Sequence, residues 1–301
     1  MKKYLLYILL FFLLVAVVDV TVGKSLDYCL NHLKGGEYHS LQYAMKETKA
    51  DVLVFGSSRA INHYVPQIIE DSLGMTCYNC GFHAQGIIFQ YGRLRYILNR
   101  YKPQMVIYDV EYHFDLGKGD NERYLDMLKP YCSDTCIANY FKEFSWKEYI
   151  KNYSRLYRYN SNFVDLLKDY SSGKDKSIQG FEPRKETMDY DVEKTTVSPV
   201  EIDSVKLYYL KKFVLACKTH RIPLVMFVSP RYDVTSTTVH EPVKAFCEEN
   251  GVPFYDYFTD TYYQSRKDLF ADSRHLNEKG ASIYTQQMIK VIKNSCHYYN
   301  K

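Results

Sequence analysis

The longest uninterrupted apolar stretch lies at the amino end of the chain. Lys2 and Lys3 precede a run from Tyr4 to Val18, Asp19 breaks it, and Thr21, Val22 and Gly23 follow. As a helix, the run of about 15 residues covers about 22 Å, short of a hydrocarbon core of about 30 Å; carried on through Val22, it spans. No clear small-residue cleavage site follows, so residues 1–23 predict an uncleaved membrane anchor rather than a removed signal peptide. The lysines hold the amino end in the cytoplasm, which places residues after about 24 outside that membrane. No later stretch is long and apolar enough to be a second span.

Past a membrane-proximal linker or helix at 24–50, short apolar runs alternate with helical periods. Asp51-Val-Leu-Val-Phe-Gly56 is β-branched and apolar and ends in glycine; Ser57 and Ser58 follow, then Ile61, Ile68, Ile69 and Leu73 at helical spacing. This predicts a strand, a tight turn and a helix. The alternation recurs with a strand from Thr76 to Gly81, a helix from Ala84 to Arg100 and a strand from Gln104 to Val110.

From about Glu111 to Pro199 the alternation stops. The chain turns polar and Tyr-rich, with Ser171 to Lys176 as an expected loop tip, and the segment reads as an insertion or lid. Alternation then resumes with a helix from about Val200 to His220, a strand from Pro223 to Val228 and a helix near Val239 to Glu249. A fifth strand from Pro253 to Phe258 follows, and Asn277 caps a last helix to about Lys293. The pattern predicts an α/β domain over 51–301, a flavodoxin-like three-layer α/β/α sandwich on a mainly parallel five-stranded sheet, preceded by the transmembrane helix.

Composition narrows the function classes. With 46% hydrophobic and 25% charged residues, the chain is neither disordered nor multi-spanning. The net charge of +4 is spread without a basic stripe, so nucleic acid is not an expected partner. The 31 tyrosines suit a wet groove, a sugar-contacting surface or a membrane-proximal face, or are a compositional habit of the source. Eight cysteines include Cys77-x-x-Cys80, but no second such pair or paired histidines complete a metal site, and none is expected. In an exported body Cys132 with Cys136, or Cys217 with Cys247, are conceivable disulfides; the alternative makes Cys77 and Cys217 small buried hydrophobes.

Reactive groups in an open parallel sheet belong beyond the carboxyl ends of the strands, where Ser57 and Ser58 fall. In isolation, a strand-Gly-Ser-Ser-helix reads as a helix cap. The far end of the chain alters that reading. Asp272-Ser-Arg-His275 lies between the fifth strand and the last helix, where a carboxylate three residues from an imidazole fixes its tautomer and leaves the other ring nitrogen to take a proton from a serine. Arg59, in the first helical turn, is expected to be solvated unless it binds an anionic substrate. His83 and His113 follow strand ends as polar rim residues, and Glu111 and Asp115 read as a solvated loop rather than a second acid pair.

With these residues in place, the sequence resembles the SGNH (GDSL-like) hydrolase superfamily, whose first block is Gly-Asp-Ser after strand one and whose last is Asp-x-x-His before the final helix. Gly56-Ser57-Ser58 and Asp272 to His275 match, and the resemblance spans roughly residues 50 to 294. Gly-Ser-Ser-Arg behind an amino-terminal anchor looks most like the membrane-anchored DltD-like and alginate-acetylation-like branches. The resemblance implies Ser58 as nucleophile, Asp272 and His275 as its partners, and the N–H groups of Ser58 and Gly81 as an oxyanion hole. The family's third-block asparagine has no counterpart in Asp109-Val-Glu-Tyr-His113, which brings in Asn79 as a substitute donor; Arg59, from its place after the nucleophile, and His83, from its place after a strand end, are the candidate substrate-binding groups. The implied activity needs no cofactor. It is that of a serine-dependent esterase or O-acyltransferase on an acylated carbohydrate or similar extracytoplasmic ester; the other expectation is a catalytically silent glycan-binding or assembly protein on the same scaffold.

Overall fold

The computed structural model describes residues 1–174, 177–199 and 201–296, so Asp175 and Lys176 of the expected loop tip and the helix start expected at Val200 lie outside the described residues. The chain divides into two units, one of Tyr43–Asn121 with Ser177–Lys301, the other of Met1–Gln42 with Glu122–Lys176.

The first unit holds the sheet. Strands β1 (Val52–Gly56), β2 (Cys77–Asn79), β3 (Met105–Asp109), β4 (Leu224–Val228) and β5 (Phe254–Asp256) lie in the order β2-β1-β3-β4-β5. Every neighbouring pair is parallel. This is the flavodoxin-like order expected, and its switch point lies between β1 and β3. Both faces are covered, which is why β1 and β3 read as continuous apolar runs. Within β1, Val52 and Val54 join a core with Tyr64, Ile69, Tyr284 and Met288. Phe55 turns the other way, against Phe213 of the Ser204–Thr219 helix, with ring centroids 5.5 Å apart. The side-chain period of two thus builds three layers. A second, two-stranded parallel sheet pairs Thr195–Val197 with Val234–Thr237.

Helix boundaries fall where the capping groups put them. Asp203 accepts from the N–H groups of Val205 and Lys206 to start the Ser204–Thr219 helix. Asn277 accepts from Gly280 N–H at 3.0 Å to start Glu278–Cys296, the cap expected of it.

The second unit is helical. The amino-terminal helix runs from Lys2 to Asn31, past the boundary expected at residue 23, because Gly23, Leu26 and Leu30 form a buried face on its last turns. Among the described residues it is the one helix long and apolar enough to cross a membrane. The Tyr-rich segment is shared out: residues 111–121 and 177–199 go with the sheet, while 122–174 form short helices in this unit. Asp134, Ser145 and Ser154 start three of them by accepting backbone N–H bonds from Cys136, Glu148 and Tyr157. The disulfides considered for Cys132 with Cys136 and for Cys217 with Cys247 are not formed. All four thiols are free and buried, and Cys247 instead points its Sγ at Met226 Sδ.

Candidate active site

Ser58 and His275 are 217 residues apart and meet at the carboxyl edge of the sheet. Gly56 closes β1 at φ +143°, and a side chain there would collide with the Asp109 carbonyl of adjacent β3, so the turn into the Ser58–His63 helix depends on glycine. Ser57 stands at the N-cap but makes no capping bond with its side chain. Ser58, at the first helical position, directs its Oγ to Nε2 of His275 at 2.9 Å. Its backbone N–H has no acceptor within the helix at that position.

Asp272 folds its own loop into a holder for the imidazole. One carboxylate oxygen accepts from the N–H groups of Arg274 and His275, both at 2.9 Å, and both oxygens lie 3.0 Å from His275 Nδ1. A carboxylate only accepts, so Nδ1 carries the proton and Nε2 is left to accept from the Ser58 hydroxyl. Burial pushes the Asp272 carboxyl up, but its hydrogen bond and attraction to His275, the Arg274 N–H and the charge of Arg184 outweigh it and hold it well below the usual range. Arg184 Nη2 approaches the second carboxylate oxygen at 3.2 Å.

Behind this pair lies a buried polar chain that the sequence did not reveal. Leu276 N–H donates to His63 Nε2 at 2.9 Å, which pins the residue next to His275. His63 Nδ1 bonds Ser229 Oγ at 2.9 Å, and Ser229 donates in turn to Asp109 Oδ2 at 3.0 Å. Asp109 also accepts from Ser229 N–H and Tyr64 O–H. Burial, reinforced by the neighbouring His275 ring and the charge of Arg59, holds His63 well below the ordinary imidazole range, and it stays neutral.

Ser58 and His275 open on a cleft of about 390 Å³ whose other walls include Arg59, Glu111, His113, Phe114, Arg231 and Arg274. Arg59 is not the solvated side chain expected. It is buried, donates to the Val110 carbonyl at 2.7 Å and pairs with Glu111 at the same distance. Burial opposes its charge, but Glu111 and Asp109 outweigh that and raise its pKa. Nor do Glu111 and Asp115 form a solvated loop. Asp115 is buried, accepting from Tyr108 O–H and Glu111 N–H, and burial lifts its carboxyl to about 7. The reason is shared: the turn after β3 folds back beneath the cleft instead of out into water.

The remaining expected site residues are elsewhere engaged. Asn79 gives its amide hydrogens to the carbonyls of Ala60 and Tyr64, at 2.7 and 3.0 Å, and its Oδ1 accepts the Gly81 N–H at 2.9 Å. The donors assigned to an oxyanion hole at Asn79 and Gly81 therefore already have acceptors inside the fold. His83 pairs with Glu182 at 3.3 Å and is not among the residues lining the cleft. The described residues contain no group of three or more His, Cys, Asp or Glu able to hold a metal ion.

No protein-family model matches the chain, and no curated protein sequence matches it.

Proposed function

We propose that this chain is an SGNH-like serine esterase or O-acyltransferase, held at the outer face of a membrane by its amino-terminal helix and acting on an acylated envelope glycan or a similar ester. The observation that carries the reading is the Ser58 Oγ to His275 Nε2 contact of 2.9 Å, with His275 Nδ1 on the Asp272 carboxylate. In that arrangement Nε2 takes the Ser58 proton as Oγ attacks the ester carbonyl, and Asp272 offsets the imidazolium that forms. The same ring returns the proton to the departing alcohol. Water or a carbohydrate hydroxyl then releases the acyl group from Ser58.

The cleft supports an anionic or highly polar substrate through Arg274, which stands exposed on its wall beside the reacting serine, while Arg231 on the same wall is already paired with Asp233. The first-turn N–H of Ser58 is the donor left for the developing oxyanion. A second reading, a silent glycan-binding scaffold, draws on one observation: the Gly81 and Asn79 donors are already engaged.

The two readings part in one experiment. The full chain in detergent is incubated with a chromogenic acyl ester and with an O-acylated glycan, with and without a free sugar acceptor. Release of acid, or appearance of acylated acceptor, supports the enzyme; glycan retention without turnover of either ester supports the scaffold.

A further inference from the structure

The amino-terminal helix is treated differently along its length. Its apolar side chains from Tyr4 to Val22 are exposed, most of them by half or more. Its last turns are packed, with Asp19, Gly23, Leu26, Asp27 and Leu30 recurring on one face at helical spacing. Asp19, the residue that ends the apolar run, accepts from Ser154 Oγ, Arg155 N–H and Leu156 N–H. Gly23 lets Arg155 approach so closely that a Cβ would collide with it. The segment at 154–156 is thereby fixed beside Asp19 to Gly23, at the carboxyl end of the apolar stretch.

Immediately before that segment stands a short helix, Trp146–Lys151, with an apolar face directed to solvent. Trp146 and Ile150, four residues apart on the helix, and Tyr153, in the turn that follows it, are 58%, 48% and 68% exposed. The opposite side is polar and buried, with Glu148 held between Lys129, Lys151 and the Tyr157 hydroxyl. Lys142 lies over the Trp146 ring at 5.5 Å, where a lipid phosphate would meet it. A short helix and its following turn, with Trp and Tyr on one apolar side and lysines beside it, suit the boundary between headgroups and acyl chains.

We infer that the Trp146, Ile150 and Tyr153 face is a membrane seat, buried at the headgroup level of the bilayer that the amino-terminal helix crosses. The inference rests on the reading of that helix as an anchor. It gives the helical unit a second contact with lipid, and two contacts fix the tilt and rotation of that unit where one helix alone does not.

Trp146 is the single tryptophan of the chain, so its fluorescence reports this face without substitution. The full chain is reconstituted into phosphatidylcholine–phosphatidylglycerol vesicles carrying bromine near the top, middle or end of the acyl chain. Flotation measures anchoring separately. The inference expects floating protein whose emission is shifted to the blue relative to a soluble tryptophan amide, most strongly quenched by the shallowest bromine and protected from iodide. Floating protein with aqueous emission, open to iodide and unquenched at every depth, overturns the seat and leaves the anchor standing. Protein that does not float overturns both.

Discussion

Two turns leave neighbouring strands of one sheet at the same edge and end in opposite states. After β1, Ser58 keeps its side chain for His275 across 217 residues. At the end of β2, Asn79 closes on its surroundings, taking two carbonyls and the Gly81 N–H, so that the turn bonds itself to the helix beside it. Standing at the carboxyl end of a strand brings a group to the cleft edge; whether it is available there depends on what else it is bonded to.

The sharpest way to break the contrast is to remove the open turn's hydroxyl. Ser58→Ala is expected to lower turnover roughly 10⁴-fold or more with the fold intact, measured as ester hydrolysis alongside a thermal melt. Asp272→Asn should come next, at about 10³–10⁴-fold, because an amide favours the wrong imidazole tautomer and does not offset an imidazolium charge.

Changes to the closed turn should register as stability instead. Asn79→Ala strands the carbonyls of Ala60 and Tyr64 and is expected to cost about 1–3 kcal/mol in denaturant unfolding, with Ser58 still reactive. A collapse of activity at unchanged stability would instead give Asn79 a place in the chemistry. Asp115 gives a smaller, pH-dependent effect. Its carboxyl is raised to about 7 in the fold, so the folded form holds a proton that the unfolded chain has released. The contribution is whole below about pH 4 and is lost as pH rises through about 7. Asp115→Asn should flatten that part of the stability profile. Ser57→Ala, at a position whose side chain makes no cap bond, should change activity least.

How much of this was legible depends on how local each determinant is. The five strands, the Asn277 cap, Ser58 in the turn after β1, and Asp272 with His275 in the loop before the last helix follow from rules that act within a few residues, and the sequence carried them. Arg184, His63 and Ser229 carried no such signal. Arg184 reaches Asp272 across 88 positions and His63 reaches Leu276 across 213, contacts that no periodicity announces. The burial of Arg59 is hidden from the sequence for a related reason: a charge in a first helical turn is solvated by default, and only the fold supplies the Glu111 and Asp109 that permit its burial. The helices of 122–174 were obscured because they are short and stop at polar caps, so the stretch reads as loop until its partner, the amino-terminal helix, is present.

The central claim is that Ser58 is an activated nucleophile rather than a helix-starting serine. The most direct measurement is reaction of the full chain with a fluorophosphonate, followed by mass spectrometry of the peptide containing Gly56 to Arg59. The account predicts a single adduct on Ser58, absent in Ser58→Ala and retained in Ser57→Ala. An adduct on Ser57 that survives Ser58→Ala, or an unlabelled folded protein, would contradict it.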